Sequence, residues 1–577
     1  MKKNYMLLAV VATFASATSF AQKPIVAESQ LQEFWQTHPT YNVATQKPSL
    51  AKQIKRGMSK PTIFKTAPFD LITEQPAGDL KTLVGNLGGY YSIFGYIMPN
   101  TELGRAVDVV YGDDGNFYMK DPFSQFSTGS WLKGAIKGDT ISVDPQTIYY
   151  EEANGSSSEA ICYAAKMKYG YVEDMAQNYW SVDLDNPTLK FVVRNDSIIM
   201  QNENGYAGLG LFYSSGEWTG FGEFRKILTP QTDVAVSLPK TVSESKEYVM
   251  TYGTYLTGLD TLTIMKKMVK IAKDGNDYYF TDLINTDDKM YVKGTFADGK
   301  LTLNSGQYMG VENTNDFNGV RYHEYFDAMG WKTVPTYNNG KEDSTYFRDQ
   351  FVFDYDATTD TYIGENNYFG INGGNSKVNM RYGFKQPVLT PFVEVNSAPA
   401  KPTIYTVEDM FDEYGYSNVQ VVLTNTTEKG EFLNTHRLYY NLYIDDELLT
   451  FYPDEYISLK EEMVDVPFEY VDGEDFQNYK GRRVIYFYTT DFSRVALQEV
   501  YVDNEGVRHL SEPARWYKNA AGIKLQQAVN DKANRAETER YYDLGGRLVA
   551  QPEHGMYIKS TTYSDGSTVM KKVFVNK

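Results

Sequence analysis

One passage of this chain is written twice, and that repeat constrains the fold more than any other feature. Trp131-Leu132-Lys133-Gly134-Ala135-Ile136 returns as Tyr291-Val292-Lys293-Gly294-Thr295-Phe296, each followed by a glycine turn, an alternating strand and a glutamine, Gln146 or Gln307. Upstream, Asp114-Gly115-Asn116-Phe117-Tyr118 answers Asp274-Gly275-Asn276-Asp277-Tyr278-Tyr279. Downstream, Phe191-Val192-Val193 answers Phe351-Val352-Phe353, and Leu228-Thr229-Pro230 answers Leu389-Thr390-Pro391. An offset held constant at the start, middle and end of a unit requires two tandem copies of one chain plan. The copies fall within 67–230, with the matched text running from about residue 85, and within 246–391, with 231–245 as the linker.

The local pattern of each copy is β. In Asp139-Thr140-Ile141-Ser142-Val143 and Lys300-Leu301-Thr302-Leu303 apolar residues alternate with polar ones, as in half-buried strands, and Gly138 or Gly299 supplies the preceding turn. Long amphipathic helical patterns are absent, and Gly, Asn and Asp clusters punctuate short strands. The expected fold is all-β, with two tandem β-barrel or β-sandwich repeats.

Lys2 and Lys3, an apolar stretch from Met6 to Phe14 and the small residues before Ala21 read as a signal peptide over 1–21. The chain is therefore expected to be exported. Residues 22–66, with prolines at 24, 39, 48 and 61, read as an extended leader with one short helix. A single cysteine, Cys162, excludes an internal disulfide, so the folds must stand on their cores. The formal charge of −18 disfavours a sequence-independent grip on nucleic acid. After the signal peptide no apolar run approaches the roughly 20 residues that span a bilayer, so no transmembrane helix is expected in the mature chain.

After Pro399 and Pro402, Leu438, Tyr440, Leu442 and Ile444 share one strand face, and Val484 to Tyr488 and Val500 to Val502 continue the theme. Residues 398–515 read as a β-sandwich and resemble the fibronectin type III-like modules of bacterial surface proteins. The Ala-, Asn-, Gln- and Lys-rich stretch 516–539 reads as a tether or weak helix. The final text, 540–577, holds Tyr541, Tyr542, Gly545, Gly546, Arg547, Gly555, Tyr557, Gly566 and Lys572 in short strands joined by glycine turns. It resembles the C-terminal sorting domain of cargo for the type IX secretion system of Bacteroidota. That resemblance implies recognition by the outer-membrane machinery, usual removal of the tail, and release or attachment of the body at the cell surface. With Ile72-Thr73-Glu74-Gln75-Pro76 before the first copy and a Lys-Gly turn in each, the repeats are similar to lipocalin-like repeats of secreted proteins from the same bacteria, a likeness that brings no activity with it.

The chemistry-bearing motifs are thin. Gly-x-Ser-x-Gly, the P-loop and His-Glu-x-x-His are missing, and His323-Glu324 has no second histidine in place. The five histidines, 38, 323, 436, 509 and 554, are too far apart in sequence for a local metal motif. Asp183-Leu184-Asp185-Asn186 and Asp354, Asp356 and Asp360 have oxygen ligands at loop spacing but lack the EF-hand glycine, so calcium competes there with a solvated acidic loop. No cofactor is expected. A glycosidase's two carboxyls must be close in space, which spacing along the chain does not reveal. The remaining excess is aromatic: 48 Tyr, 31 Phe and 6 Trp. Such rings can stack on sugars, or simply fill cross-strand pairs. Trp131, Trp180 and Trp218 in the first copy and Tyr291 and Trp331 in the second are the candidate ligand-binding aromatics. The expectation is a non-catalytic glycan or surface-ligand binder; the alternative is a secreted hydrolase of glycans or peptides whose site is not visible in sequence.

Overall fold

The computed structural model describes residues 41–42, 71–518 and the strands of 536–575, apart from 94–95, 125–127, 152–159, 173–176, 257–260, 284–288, 313–320, 336–340, 375–379, 409–415, 454, 457 and 474. The expected signal peptide, most of the leader and most of the tether lie outside the described residues. Among those described, the regular elements are strands and two short 3-10 turns, and no helix is long and apolar enough to cross a membrane.

The first copy contains β2 (Gly78–Ile93), β3 (Tyr96–Gly112), β4 (Asn116–Lys120), β5 (Trp131–Lys137), β6 (Thr140–Val143), β7 (Gln146–Glu151) and β8 (Ala160–Val172). It continues with β9 (Gln177–Val182), β10 (Leu189–Arg194), β11 (Ser197–Met200), β12 (Ala207–Tyr213) and β13 (Trp218–Thr229), while β1 (Tyr41–Asn42) adds to the edge of β3. Strands β2-β3-β4-β5-β6-β10-β11-β13 form an eight-strand circuit that closes where β13 pairs back on β2. From β13 a second branch runs through β12 and β8 to β7, with β9 beside β8.

The second copy repeats this twelve strands later, with β14 (Glu244–Tyr255), β15 (Leu262–Asp274), β16 (Asp277–Thr281), β17 (Val292–Ala297), β18 (Lys300–Asn304) and β19 (Gln307–Val311). Then come β20 (His323–Pro335), β21 (Lys341–Arg348), β22 (Gln350–Asp356), β23 (Thr361–Gly364), β24 (Tyr368–Gly373) and β25 (Met380–Pro391). The order β14-β15-β16-β17-β18-β22-β23-β25 closes on itself, and β24, β20 and β19 branch from β25 with β21 beside β20. Hairpins 131–143 and 292–304 thus occupy the same place in their barrels.

The repeated residues have structural work. An eight-strand barrel is just wide enough inside for side chains to fill. Phe117, Ile141, Phe191 and Leu211 do so in the first, and Val269, Leu301, Phe351 and Phe369 in the second. Gly134 and Gly294 lie within strands, where a Cβ would stand 2.6 Å from Ile141 Cγ2 and 2.6 Å from Leu303 Cδ2, so an apolar side chain of the next strand can lie over bare backbone. Gln146 closes the branch by side chain: its amide accepts from Lys133 N at 2.7 Å and donates to Lys133 O at 2.9 Å, as a strand neighbour would. Gln307 does the same to Lys293, at 2.8 and 2.8 Å.

The barrels meet through β3 and the start of β20. Arg105 and Tyr322 form a bridge, Ala106 N donates to Arg321 O at 2.8 Å, and Arg321 pairs with Asp108 at 2.6 Å. The linker docks on the second barrel, since Gln231 donates to the Tyr325 hydroxyl and Val236 N to Tyr308 O, both at 2.9 Å.

Residues 403–517 form two sheets over one core. The first is β26 (Thr403–Glu408), β27 (Ser417–Val422), β32 (Arg482–Phe487) and β31 (Phe476–Tyr479) in that order. The second runs β29 (Glu447–Leu448), β28 (Leu438–Ile444), β33 (Arg494–Val502) and β34 (Arg508–Leu510), joined by β30 (Val466–Pro467) on β28 and β35 (Ala514–Tyr517) on β33. This is the strand order of immunoglobulin-like sandwiches. Val419 and Ile485 of one sheet share the core with Leu442 and Leu497 of the other. The sandwich extends to Tyr517, two residues into the expected tether.

Glu499 is 0% exposed, on the face of β33 that carries Val495 and Leu497. Its carboxyl accepts from Thr424 N at 2.6 Å, and Thr424 Oγ1 lies 2.7 Å from the other oxygen and 3.1 Å from Ala400 O. One hydroxyl proton cannot serve both contacts, so a protonated Glu499 that donates to Thr424 while Thr424 donates to Ala400 satisfies all three. Burial pushes this carboxyl up to about 8. The folded value lies above the unfolded one of about 4.3, so its contribution is full below that pH and is lost as pH rises through the folded value. Glu499→Gln, neutral throughout, should stabilise the sandwich by up to about 5 kcal/mol at pH 9 and by almost nothing at pH 4. Thermal melts at the two pH values check this; an equal effect at both would contradict the protonated acid.

At the end of the chain β36 (Ala536–Tyr542), β37 (Leu548–Val549), β38 (Gly555–Tyr563) and β39 (Thr568–Val575) form a sheet ordered β37-β36-β38-β39. It begins at Ala536, four residues before the expected start. Tyr541 and Tyr542 lie in β36, Gly555 and Tyr557 in β38 and Lys572 in β39, whereas Gly545, Gly546, Arg547 and Gly566 lie outside the described residues.

Candidate functional site

Strand alternation puts a second set of side chains on the outside of each barrel wall. Along β8, Cys162 and Ala164 face the barrel core while Tyr163, Ala165, Met167 and Tyr169 face outward. There they meet Tyr90, Phe212, Phe224, Trp180 and Trp218 in one aromatic cluster. Trp180 and Trp218 are 6.4 Å apart between ring centroids, and Tyr90 lies 5.8 Å from one and 5.7 Å from the other. The structure brings these two expected residues together but leaves them 2% and 5% exposed, with the Trp218 indole N–H committed to Phe221 O. Trp131, 4% exposed, packs with Val110, Tyr118 and Ile72. These three tryptophans therefore present no open ring face to a ligand; they are packing residues, because the wall is roofed on its outer side as well as filled within.

The second barrel differs at the matching place. Gly208 pairs with Met167 and Tyr368 with Met329, so Tyr169 corresponds to Trp331; one residue past the Glu223 and Phe384 register, Phe224 corresponds to Lys385. A cation thus replaces a phenyl ring on the outer wall. Lys385 Nζ sits 3.4 Å from the Trp331 ring centroid and 2.5 Å from Asp343 Oδ2. Asp343 also accepts from the Tyr368 hydroxyl at 3.1 Å and from Thr333 Oγ1 at 3.3 Å. Lys385 and Asp343 are each 7% exposed and Tyr368 2%, so the ion pair is desolvated and the ring contact correspondingly strong. Burial, with Asp343 alongside, holds the Tyr368 hydroxyl protonated well above its usual range. Trp331 itself is half-buried, and its indole N–H donates to Asn366 O at 3.1 Å, which fixes the ring as a lid on the lysine. Phe347, paired with Met329, stands on the same face of the β20–β21 hairpin and is 36% exposed. Tyr291 is half-buried and immediately precedes β17.

Sequence reading named Trp331 but missed Lys385, Asp343 and Tyr368. The signal was present: aligning the copies at their own offset sets Lys385 against Phe224, a charge against a core-type residue.

Other polar groups are internally committed. His323 places Nδ1 2.7 Å from the Tyr308 hydroxyl and Nε2 3.2 Å from Leu83 O of the first barrel, so a neutral ring accepts at one nitrogen and donates at the other. Burial lowers its pKa and favours that form. Asp354 pairs with Lys300, Asp356 caps Thr358 and Thr359, and Asp360 takes Lys246 at 2.5 Å with the Tyr248 and Tyr355 hydroxyls, so these aspartates do not converge as calcium ligands. Asp183 is taken by Lys166 and Lys168 at 3.2 Å each. Among the described residues no group of three or more His, Cys, Asp or Glu is placed to hold a metal ion. Cys162 is fully buried in the first core, and desolvation drives its thiol far above the usual range.

Comparison with family models, with curated proteins and with solved structures finds no match to this chain.

Proposed function

We propose that this chain is an exported surface protein that binds a glycan or similar surface ligand, without catalysis, on the Trp331 face of its second barrel. One observation carries the reading: where the first barrel buries its aromatic cluster, the second holds a half-exposed tryptophan rigidly over a paired lysine, with Phe347 beside it. A fixed aromatic plane loses little entropy when a sugar ring stacks on it. Export follows in this proposal from the signal peptide and from delivery by a type IX apparatus through the four-stranded C-terminal sheet.

The purified mature chain would be incubated with glycan and peptide libraries, and both retention and turnover scored. Retention of a glycan, weakened about tenfold or more by Trp331→Ala, is expected, equivalent to about 1.4 kcal/mol. Turnover abolished by replacing one acidic residue would favour the hydrolase alternative.

A further inference from the structure

We infer that Lys385 and Asp343 condense to an amide, an isopeptide cross-link between β25 and β21 that the chain forms on itself. This is a covalent site behind the Trp331 ring, and it stands apart from any ligand bound in front of that ring. The chain has one cysteine, so no internal disulfide can brace it. Lys385 Nζ lies 2.5 Å from Asp343 Oδ2, and both residues are 7% exposed. The Trp331 ring, its centroid 3.4 Å from Nζ, covers the contact, and the Tyr368 ring lies 5.6 Å away. Such walls keep out the water that would hydrate both ions. Other close pairs lack this enclosure. Lys246 and Asp360 are both part-exposed, and Lys166 divides its ammonium between Asp183 and the exposed Glu203.

The two carboxyl oxygens have separate partners, which suits them to separate fates. Oδ1 accepts from Thr333 Oγ1 at 3.3 Å, whereas Oδ2 takes Lys385 and, at 3.1 Å, the Tyr368 hydroxyl. Desolvation disfavours the two ions but not a neutral amine and acid, so a proton passes from Nζ to Oδ2 across the short contact. The amine lone pair then attacks Cγ, and negative charge develops on Oδ1, where Thr333 donates to it. Nζ passes a second proton to Oδ2, the Cγ–Oδ2 bond breaks, and water leaves with the Tyr368 hydroxyl still donating to the departing oxygen. Ammonium plus carboxylate becomes amide plus water, with no change of oxidation state and no co-reactant.

Sheet order gives the link its use. The strands run β25-β24-β20-β21, so the amide ties the outlying strand β21 to β25 across two others, joining positions 42 residues apart. A cross-link of this kind restrains the unfolded chain as well as the folded one. The hairpin that carries Trp331 and Phe347 then stays on the barrel even when its backbone hydrogen bonds open. The first barrel, with Phe224 in the place of Lys385, lacks the amine for such a bond there.

The purified full chain would be unfolded, weighed by mass spectrometry, then digested and mapped. The expected native chain is lighter than its sequence by one water and yields a branched peptide joining the Asp343 and Lys385 segments. Lys385→Met should have its full sequence mass and release the two segments separately. A native chain of full sequence mass overturns the inference. So does loss of one water with the two segments unlinked, which marks a cyclic imide at an aspartate instead. Should Lys385→Met not fold, the native map, which needs no substitution, decides. Chains made by cell-free synthesis and sampled over time test the hydroxyl: Tyr368→Phe should form the link at least about tenfold more slowly. An unchanged rate would overturn the part given to Tyr368. No glycan enters these measurements, so their failure leaves the proposed binding face standing.

Discussion

Replacing Arg381 with methionine should destabilise the barrel pair by about 3–5 kcal/mol, the usual consequence of removing one partner from a buried ionic group. Arg381 is hydrogen-bonded to both Glu312 and Glu324, and the three side chains are 6%, 2% and 0% exposed. The Tyr382 hydroxyl donates to Glu312 at 2.8 Å, and the guanidinium lies 4.5 Å from the centre of the Tyr322 ring, beside the bridge to Arg105 of the first barrel. Even with the arginine in place, desolvation pushes the Glu324 carboxyl up to about 8. Without it two acids would face each other with no cation. A carboxyl raised on folding contributes its full stability below the unfolded pKa of about 4.3 and loses it as pH rises through the folded value. The deficit of Arg381→Met should therefore be smallest near pH 4 and grow steadily to pH 8. Adding Glu324→Gln should recover part of it. Urea unfolding of the three chains at pH 4 and pH 8 measures this. A loss below about 1 kcal/mol, or one independent of pH, would show that the cluster is not the electrostatic joint described here.

Gly104→Ala should cost about 2–4 kcal/mol and uncouple the barrels, combining left-handed backbone strain with overpacking. Gly104 has φ +78° and Gly374 φ +75°, and a Cβ on Gly104 would fall inside the van der Waals shell of the Gly374 Cα and N. The obstacle is backbone from the other barrel, so no side-chain rotation relieves it. The barrels would have to separate, straining the Ala106–Arg321 and His323–Leu83 hydrogen bonds. Gly115→Ala is the matched control, since Gly115 has nearly the same φ, +79°, with nothing within 4 Å of its added Cβ. It should cost only about 1–2 kcal/mol. Calorimetry should then show two barrel transitions in Gly104→Ala where the native chain and Gly115→Ala show one. Equal losses for the two variants would mean that the junction tolerates separation.

The constant offset between Trp131 and Tyr291, and between Leu228 and Leu389, was enough to predict that both copies share one strand order, because turns at matched positions leave the chain the same sequence of reversals. Alternation in Thr140–Val143 and Lys300–Asn304 was enough to say which residues face inward, since the side-chain period of a strand is 2. The sandwich was likewise legible, apart from its last two residues. Tertiary structure decided whether an outward face meets water. Trp180 and Trp218 point out of the barrel as a period of 2 allows, yet they are buried, because distant parts of the chain meet above the wall. Tertiary structure also decided which charges meet. Lys385 and Asp343 are 42 residues apart, and Arg381 is 69 and 57 residues from Glu312 and Glu324. Local pattern reports only the direction of a side chain from its own backbone; its partner is set by sheet register, which depends on all the strands between.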